Sequence, residues 1–266
     1  MGSMDFSVFV PYDLVPWQWA AWIFLGLCIG LTKTGFSGMT AIIVPIIALI
    51  FDPKESTGIN LPLLCFADII AVAYFHSHAE WKHIWKLLPW SLAGFAVALF
   101  VEKLVPVQAF KYLMGGSILA GLIVMFWNDM RGKEKPPPSA WWFSALFGIA
   151  GGFCTMIGNV AGAIMAVFLL SMRLPKNSYV GTTAWFFLII NYIKLPIQIF
   201  FWNNVTVKSL LFDMTLVPVI LIGAVLGVYL IKIIPESVYR KTIVVLTFIS
   251  AVLLFIDWKA WIQPVQ

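Results

Sequence analysis

Charge is what this sequence lacks. Of its 266 residues 11% are Asp, Glu, Lys or Arg and 61% are hydrophobic, whereas a soluble domain carries roughly a quarter charged residues. So few charges do not cover a water-facing surface, which excludes an ordinary soluble domain. Cysteine is scarce as well: Cys28, Cys65 and Cys154 are the three present, each inside an apolar run, so they read as core residues and not as a disulfide framework. A clustered basic stripe is missing too. Lys+Arg 17 less Asp+Glu 12 gives +5, but these residues are scattered over short connections, which argues against a nucleic-acid partner. No basic leader region precedes the first apolar run, so that run is expected to be retained. No nucleophile–base constellation or phosphate loop stands out, and the reading assigns no catalytic residue, no cofactor and no metal. His76, His78 and His83 fall in one loop, but Trp81, Trp85, Lys82 and Lys86 interleave with them, a mixture typical of a membrane interface.

What is present is a series of apolar stretches: 17–31, 39–51, 57–75, 84–101, 109–127, 140–157, 161–170, 179–202, 210–234 and 242–261. A helix rises about 1.5 Å per residue and a bilayer core is about 30 Å thick. Stretches 39–51 and 161–170, with 13 and 10 residues, are therefore too short to cross alone. Each follows a polar, Gly-containing break, at 32–38 and at 158–162. Short, interrupted segments at matching places in two halves are the best sequence pointer to a transporter site.

The halves match at nearly constant offsets. Thr32 and Gly35 find Thr155 and Gly158 at 123; Pro53, Lys54 and Ser56 find Pro175, Lys176 and Ser178 at 122; Gly58 and Asp68 find Gly181 and Asn191 at 123. Farther along, Pro89, Gly94 and Pro106 find Pro218, Gly223 and Pro235 at 129. The expected organisation is a first membrane repeat (17–127), a short cytoplasmic linker (128–139) carrying Pro136, Pro137 and Pro138, and a second membrane repeat (140–261).

The basic residues choose the orientation. If each half crosses an odd number of times from an outside N-terminus, 11 of the 17 Lys and Arg fall inside, 5 outside, and Lys194 within the membrane. An even number of crossings loses that asymmetry. The expected fold is thus all-α: a polytopic protein of the cell (inner) membrane, with two inverted-topology repeats, short broken or re-entrant helices, and both termini outside.

Ionisable groups at membrane depth are functional candidates by default, because each costs at least about 2.5–3.5 kcal/mol at a helix centre. Lys33 stands in the first break among Thr34, Gly35, Ser37 and Gly38, where free N–H groups and an ammonium suit an anion; a lysine snorkelling to the interface is the plainer alternative. The second break offers Thr155, Gly158, Asn159 and Gly162, whose small residues would also serve helix packing. Asp68 and its repeat partner Asn191, with Lys194 one helical turn on, are candidates for coupling or gating, or for an ion pair that holds helices together. Asn60, Thr182 and Thr183 are further donors at the starts of the same stretches.

These residues carry a resemblance. Gly30-Leu-Thr-Lys-Thr-Gly-Phe-Ser-Gly38 followed by Pro45, Leu61-Pro-Leu-Leu64 with Asp68, Thr155-Met-Ile-Gly-Asn159, and Ser171-Met-Arg-Leu-Pro-Lys-Asn177 with Gly181-Thr-Thr183 are together similar to the TauE/SafE family of sulfite-exporter-like membrane proteins, over about 17–255. Family members often have consecutive glycines in the first break. Here Thr34, Phe36 and Ser37 interrupt them and Lys33 is added, as in a lysine-bearing branch. The resemblance implies export of a small sulfur-containing anion such as sulfite, thiosulfate or a short organosulfonate. The expected partners are that anion and the lipid bilayer; a second copy of the chain stays open. Two other classes remain: a proton- or cation-coupled carrier of another solute that relies on Asp68, and an intramembrane enzyme or assembly factor of sulfur metabolism.

Overall fold

A computed structural model describes residues 12–37, 53–101, 140–253 and 255, with isolated positions between 43 and 51 and between 116 and 123. Gly38, the linker 128–139 and most of stretches 39–51 and 109–127 lie outside the described residues. The described elements are all helical: α1 (Pro16–Thr34), α2 (Pro53–Phe75), α3 (Trp81–Val101), α4 (Trp141–Gly158), α5 (Ala161–Ser171), α6 (Lys176–Phe200), α7 (Val207–Asp213), α8 (Val217–Ile233) and α9 (Glu236–Leu253). Local chemistry sets their ends. Pro16 opens α1, where its missing N–H costs nothing, and the Gln18 side chain accepts from the Val15 N–H at 3.0 Å. Thr206 caps α7 by accepting from the Ser209 N–H at 3.1 Å,.

Five helical stretches among the described residues are long and apolar enough to cross a membrane: Glu55–His78, Trp81–Phe100, Trp141–Gly158, Lys176–Phe200 and Val207–Ile233. The protein is a multi-pass membrane protein. Helix α5, with 11 residues, reaches about 16 Å at 1.5 Å per residue, roughly half of the hydrocarbon core. The surface agrees. Phe100, Phe200, Phe201 and Val207 are all more than 70% exposed, while Asn60, Asp68, Asn191, Lys194 and Gln198 are 1% exposed or less. That inside-out distribution is costly in water and suits lipid.

Two boundaries differ from the sequence expectation. Helix α1 continues one turn beyond residue 31 through Thr32, Lys33 and Thr34. The Thr34 hydroxyl shares its proton between the carbonyls of Gly30 and Ala224, at 2.9 and 3.0 Å, which lets a polar turn stay helical in the core. The stretch 210–234 is divided by a 3-10 turn at Met214–Leu216, just before Pro218 enters the first turn of α8.

The most extensive contacts join α1 to α8, α3 to α4, and α2 to α6. At the sequence offsets, α1 corresponds to α4 and α3 to α8, so the first two pairings exchange and the third maps onto itself. Close backbone crossings mark the exchanged pair. A Cβ on Gly223 would stand 2.3 Å from the Leu27 carbonyl oxygen, and one on Gly94 2.3 Å from that of Ile149; both need glycine. The pattern is compatible with two repeats about a pseudo-twofold axis through α2 and α6.

Candidate functional site

The site forms where two helices stop beside α2 and α6. Helix α1 ends at Thr34 with Gly35 as its cap, and the Phe36 N–H returns to the Leu31 carbonyl at 3.1 Å. Helix α4 ends at Gly158, and Asn159 takes a left-handed conformation with φ 57°, which Asn tolerates better than most residues. The Asn159 N–H then reaches the Thr155 carbonyl and the Val160 N–H that of Cys154, closing the end of the helix. Helix α5 begins at Ala161, so its unpaired first-turn N–H groups and positive dipole end follow directly.

Between the two breaks lies a cavity lined by Thr32, Lys33, Ser37, Leu64, Thr155, Asn159, Thr183, Phe187 and Asn191. Its volume is about 10 Å³, the size of one water site, so this conformation is closed to any larger solute.

Each break has a cation, from a different source. Lys33 lies in the last turn of α1 itself. Its Nζ is 2.8 Å from Asp68 Oδ1 and 4.5 Å from the Phe187 ring centroid, a cation–π contact. The other carboxylate oxygen, Oδ2, accepts from Asn191 Nδ2 at 2.7 Å. Asp68 and Asn191, equivalent by offset, thus touch each other, and the carboxylate spends both oxygens. At the second break Lys194, fully buried, reaches across from α6 and donates to the Thr155 carbonyl and to Asn159 Oδ1. Both ammonium groups therefore sit at helix C-terminal ends, where the dipole favours positive charge.

The remaining sequence candidates separate into those at the cavity and those away from it. Thr155, Asn159, Thr183 and Ser37 line it with Lys33. Thr34 faces α8. Gly35 lends its carbonyl to the Tyr239 hydroxyl at 2.6 Å. Asn60 is buried without lining the cavity. Thr182 accepts the Glu80 N–H at 2.9 Å, beside the loop after α2. Gly158 closes α4, and Gly162 is buried in the first turn of α5. In the histidine loop His76 and His78 are exposed, Trp185 Nε1 donates to the His76 carbonyl at 3.3 Å, and no group of three His, Cys, Asp or Glu converges among the described residues.

Several site residues carry no polar signal in sequence. Phe187 and Leu64 are ordinary members of apolar runs. Tyr179 belongs here too: Ser37 Oγ and the Tyr179 hydroxyl are 2.5 Å apart. The usable signal was spacing, since Thr183, Phe187, Asn191 and Lys194 recur along one helical face. Thr57 on α2 plays the corresponding part on the other side, its carbonyl accepting from Asn159 Nδ2 at 3.3 Å. The first turn of α6 thus meets the first break, and the first turn of α2 meets the second.

A second, larger cavity of about 510 Å³ is lined by Tyr12, Glu55, Trp202, Asn203, Asn204, Thr206 and Ser209. Tyr12 donates to Glu55 at 2.8 Å. Burial, then that hydrogen bond and the carboxylate charges of Glu55 and Asp213, push the phenol above its ordinary range, so it stays protonated. Asn204 connects this cavity to Thr57, with its Nδ2 3.4 Å from the hydroxyl.

No curated protein and no solved structure gives a significant match. The profile of the family described as sulfite exporter TauE/SafE matches residues 22–254, a span that includes both breaks, Asp68 and Lys194. The chain belongs to the TauE/SafE sulfite exporter family, membrane transporters of sulfur-related anions.

Proposed function

We propose that the protein exports a small sulfur-containing oxyanion, and that the anion is held between the ends of α1 and α4. The observation that carries this reading is the buried cavity flanked by Lys33 and by the Asn159 amide that Lys194 holds, with hydroxyls of Thr32, Ser37, Thr155 and Thr183 around it. Cations and neutral donors that converge away from water suit an oxyanion. The α5 dipole adds positive potential from the second break.

Transport then requires the closed cavity to open to one side at a time. Two latches stand where that opening would occur: Ser37 with Tyr179 at one, Asn159 with Thr57 at the other. Each joins a helix break to the first turn of the long helix from the opposite repeat. With inverted repeats the latches face opposite sides of the membrane. The positive-inside orientation puts Tyr179 toward the cytoplasm and the Asn203–Asn204 cavity outside, as an exit vestibule. Release of one latch while the other holds is alternating access. Efflux needs no coupling ion, because each negative charge leaving a cell with a negative interior gains about 2.3 kcal/mol per 100 mV. Asp68, with both oxygens engaged, serves in this reading to hold Lys33 and not to carry a proton.

The test is flux of labelled sulfite, thiosulfate and methanesulfonate from proteoliposomes. Anion efflux driven by an inside-negative potential, lost in Lys33→Ala, is the expected result. Absence of flux, or full flux in Lys33→Ala, would overturn the site; a strict requirement for an imposed pH gradient, lost in Asp68→Asn, would favour the coupled carrier.

A further inference from the structure

Among the described residues, the centre of the molecule holds a charge imbalance. Lys33, Asp68 and Lys194 are 7%, 0% and 0% exposed, two ammonium groups against one carboxylate. The carboxylate is committed to Lys33 at 2.8 Å. Lys194 has neutral partners, the Thr155 carbonyl and Asn159 Oδ1. The other buried carboxylate among the described residues, Asp213, closes α7. There it follows Phe212, which stacks on Trp22 in a different apolar cluster from the one around α5. Glu55 is engaged with Tyr12 at the outer cavity. Cys65, Tyr179 and Tyr239, also buried near the centre, are neutral when protonated. The helix ends at Gly35 and Gly158 contribute only partial negative charge.

We infer that this site is matched to a singly charged oxyanion, a sulfonate or hydrogen sulfite, in preference to a dianion such as sulfate or thiosulfate. The inference rests on the anion-exporter reading and narrows its substrate class. A monoanion brings the cluster of Lys33, Asp68 and Lys194 to neutrality. A dianion leaves one negative charge uncompensated, in surroundings where an unpaired charge is strongly disfavoured. Asp68 is therefore a specificity-determining residue: it cancels Lys33 and so sets how much charge the solute must bring. Lys194 acts through Asn159. By holding Oδ1 it fixes the orientation of the amide, with one Nδ2 hydrogen on the Thr57 carbonyl and the other left for a solute oxygen.

The experiment compares efflux of labelled methanesulfonate, sulfate and thiosulfate from proteoliposomes containing the full chain, at equal membrane potential per charge. The wild type is expected to move methanesulfonate at least tenfold faster than either dianion. Asp68→Asn keeps the shape and adds one net positive charge, so it should shift the monoanion-to-dianion ratio at least tenfold toward the dianions. Lys194→Gln removes one positive charge and should lower methanesulfonate flux without raising that of sulfate. Thermal unfolding in detergent gives a second readout if a variant inserts poorly: methanesulfonate should raise the wild-type midpoint more than sulfate does at matched ionic strength. A wild-type ratio within twofold, or a ratio that Asp68→Asn leaves unmoved while flux persists, overturns the inference and leaves the exporter reading standing. Absence of flux for all three anions overturns both.

Discussion

The two helix breaks close with different backbone conformations, an extended Gly35 at φ −161° against a left-handed Asn159 at φ 57°, and they differ too in how each obtains its cation. At the first, Lys33 arrives on the helix that ends there and brings its neutraliser, Asp68, 2.8 Å away. At the second, Lys194 comes from a neighbouring helix and finds a carbonyl and an amide. Places that correspond by sequence offset thus meet one electrostatic need, positive charge at a helix C-terminus, with residues that are not equivalent in sequence. The first break is electrically closed on itself. The second carries the charge that a solute must answer.

The comparison predicts unequal damage. Lys33→Met has the largest expected effect, because it strands Asp68 with no cation. Removing one member of a buried pair costs about 3–5 kcal/mol, so the variant should unfold well below the wild type and show no measurable anion flux. Adding Asp68→Asn should restore most of the unfolding midpoint and none of the flux, which separates stability from binding. Lys194→Met comes next. It leaves the Thr155 carbonyl and the Asn159 amide short of a donor but strands no opposite charge. A hydrogen bond to a charged group is worth about 1.5–3 kcal/mol, so flux should fall by roughly 10- to 100-fold, with a smaller loss of stability than Lys33→Met. Equal destabilisation by the two lysine variants, measured side by side in detergent, would break the comparison.

Much of this architecture was legible in the sequence because a membrane leaves few places for charge. Asp68, Asn191, Lys33 and Lys194 stood out as polar residues at depth, and Asp68 stood out as a partner for a buried lysine; that Asp68 also meets its repeat partner Asn191 came from the structure. The offset also placed α4 opposite α1, and the glycine pair Gly94 and Gly223 sits at corresponding backbone crossings. The pairings were not legible. Nothing in the spacing says that Lys194 belongs to Asn159 and not to Asp68, since that choice depends on how α6 lies against both α2 and α4. Phe187 and Tyr179 were hidden for a simpler reason: in a chain with 16% aromatic residues, a ring facing the site looks like one facing lipid. The extra turn of α1 escaped because a Thr-Lys-Thr run reads as a loop. It stays helical through the Thr34 bonds to Gly30 and Ala224 and the burial of Lys33 beside Asp68.

The latches sharpen the comparison at lower energy. Tyr179→Phe removes the hydroxyl that meets Ser37, while the hydroxyl of Tyr239 on the Gly35 carbonyl remains to hold the first break. One neutral hydrogen bond contributes about 0.5–1.5 kcal/mol, so the balance between the two open states should shift by roughly 2- to 12-fold toward the side that the first break guards. The readout is the half-saturating sulfite concentration from each face of oriented vesicles: it should fall on the Tyr179 side and rise on the other. Thr57→Val is the smallest of the four. Asn159 bonds to the Thr57 carbonyl, which the substitution keeps, while the 3.4 Å contact of the hydroxyl with Asn204 is lost. Flux and sidedness should then change by less than about twofold, a fraction of one net hydrogen bond. A larger change on the Thr57 side than on the Tyr179 side would mean that the second latch works through side chains, and that the two breaks are more alike in gating than in charge.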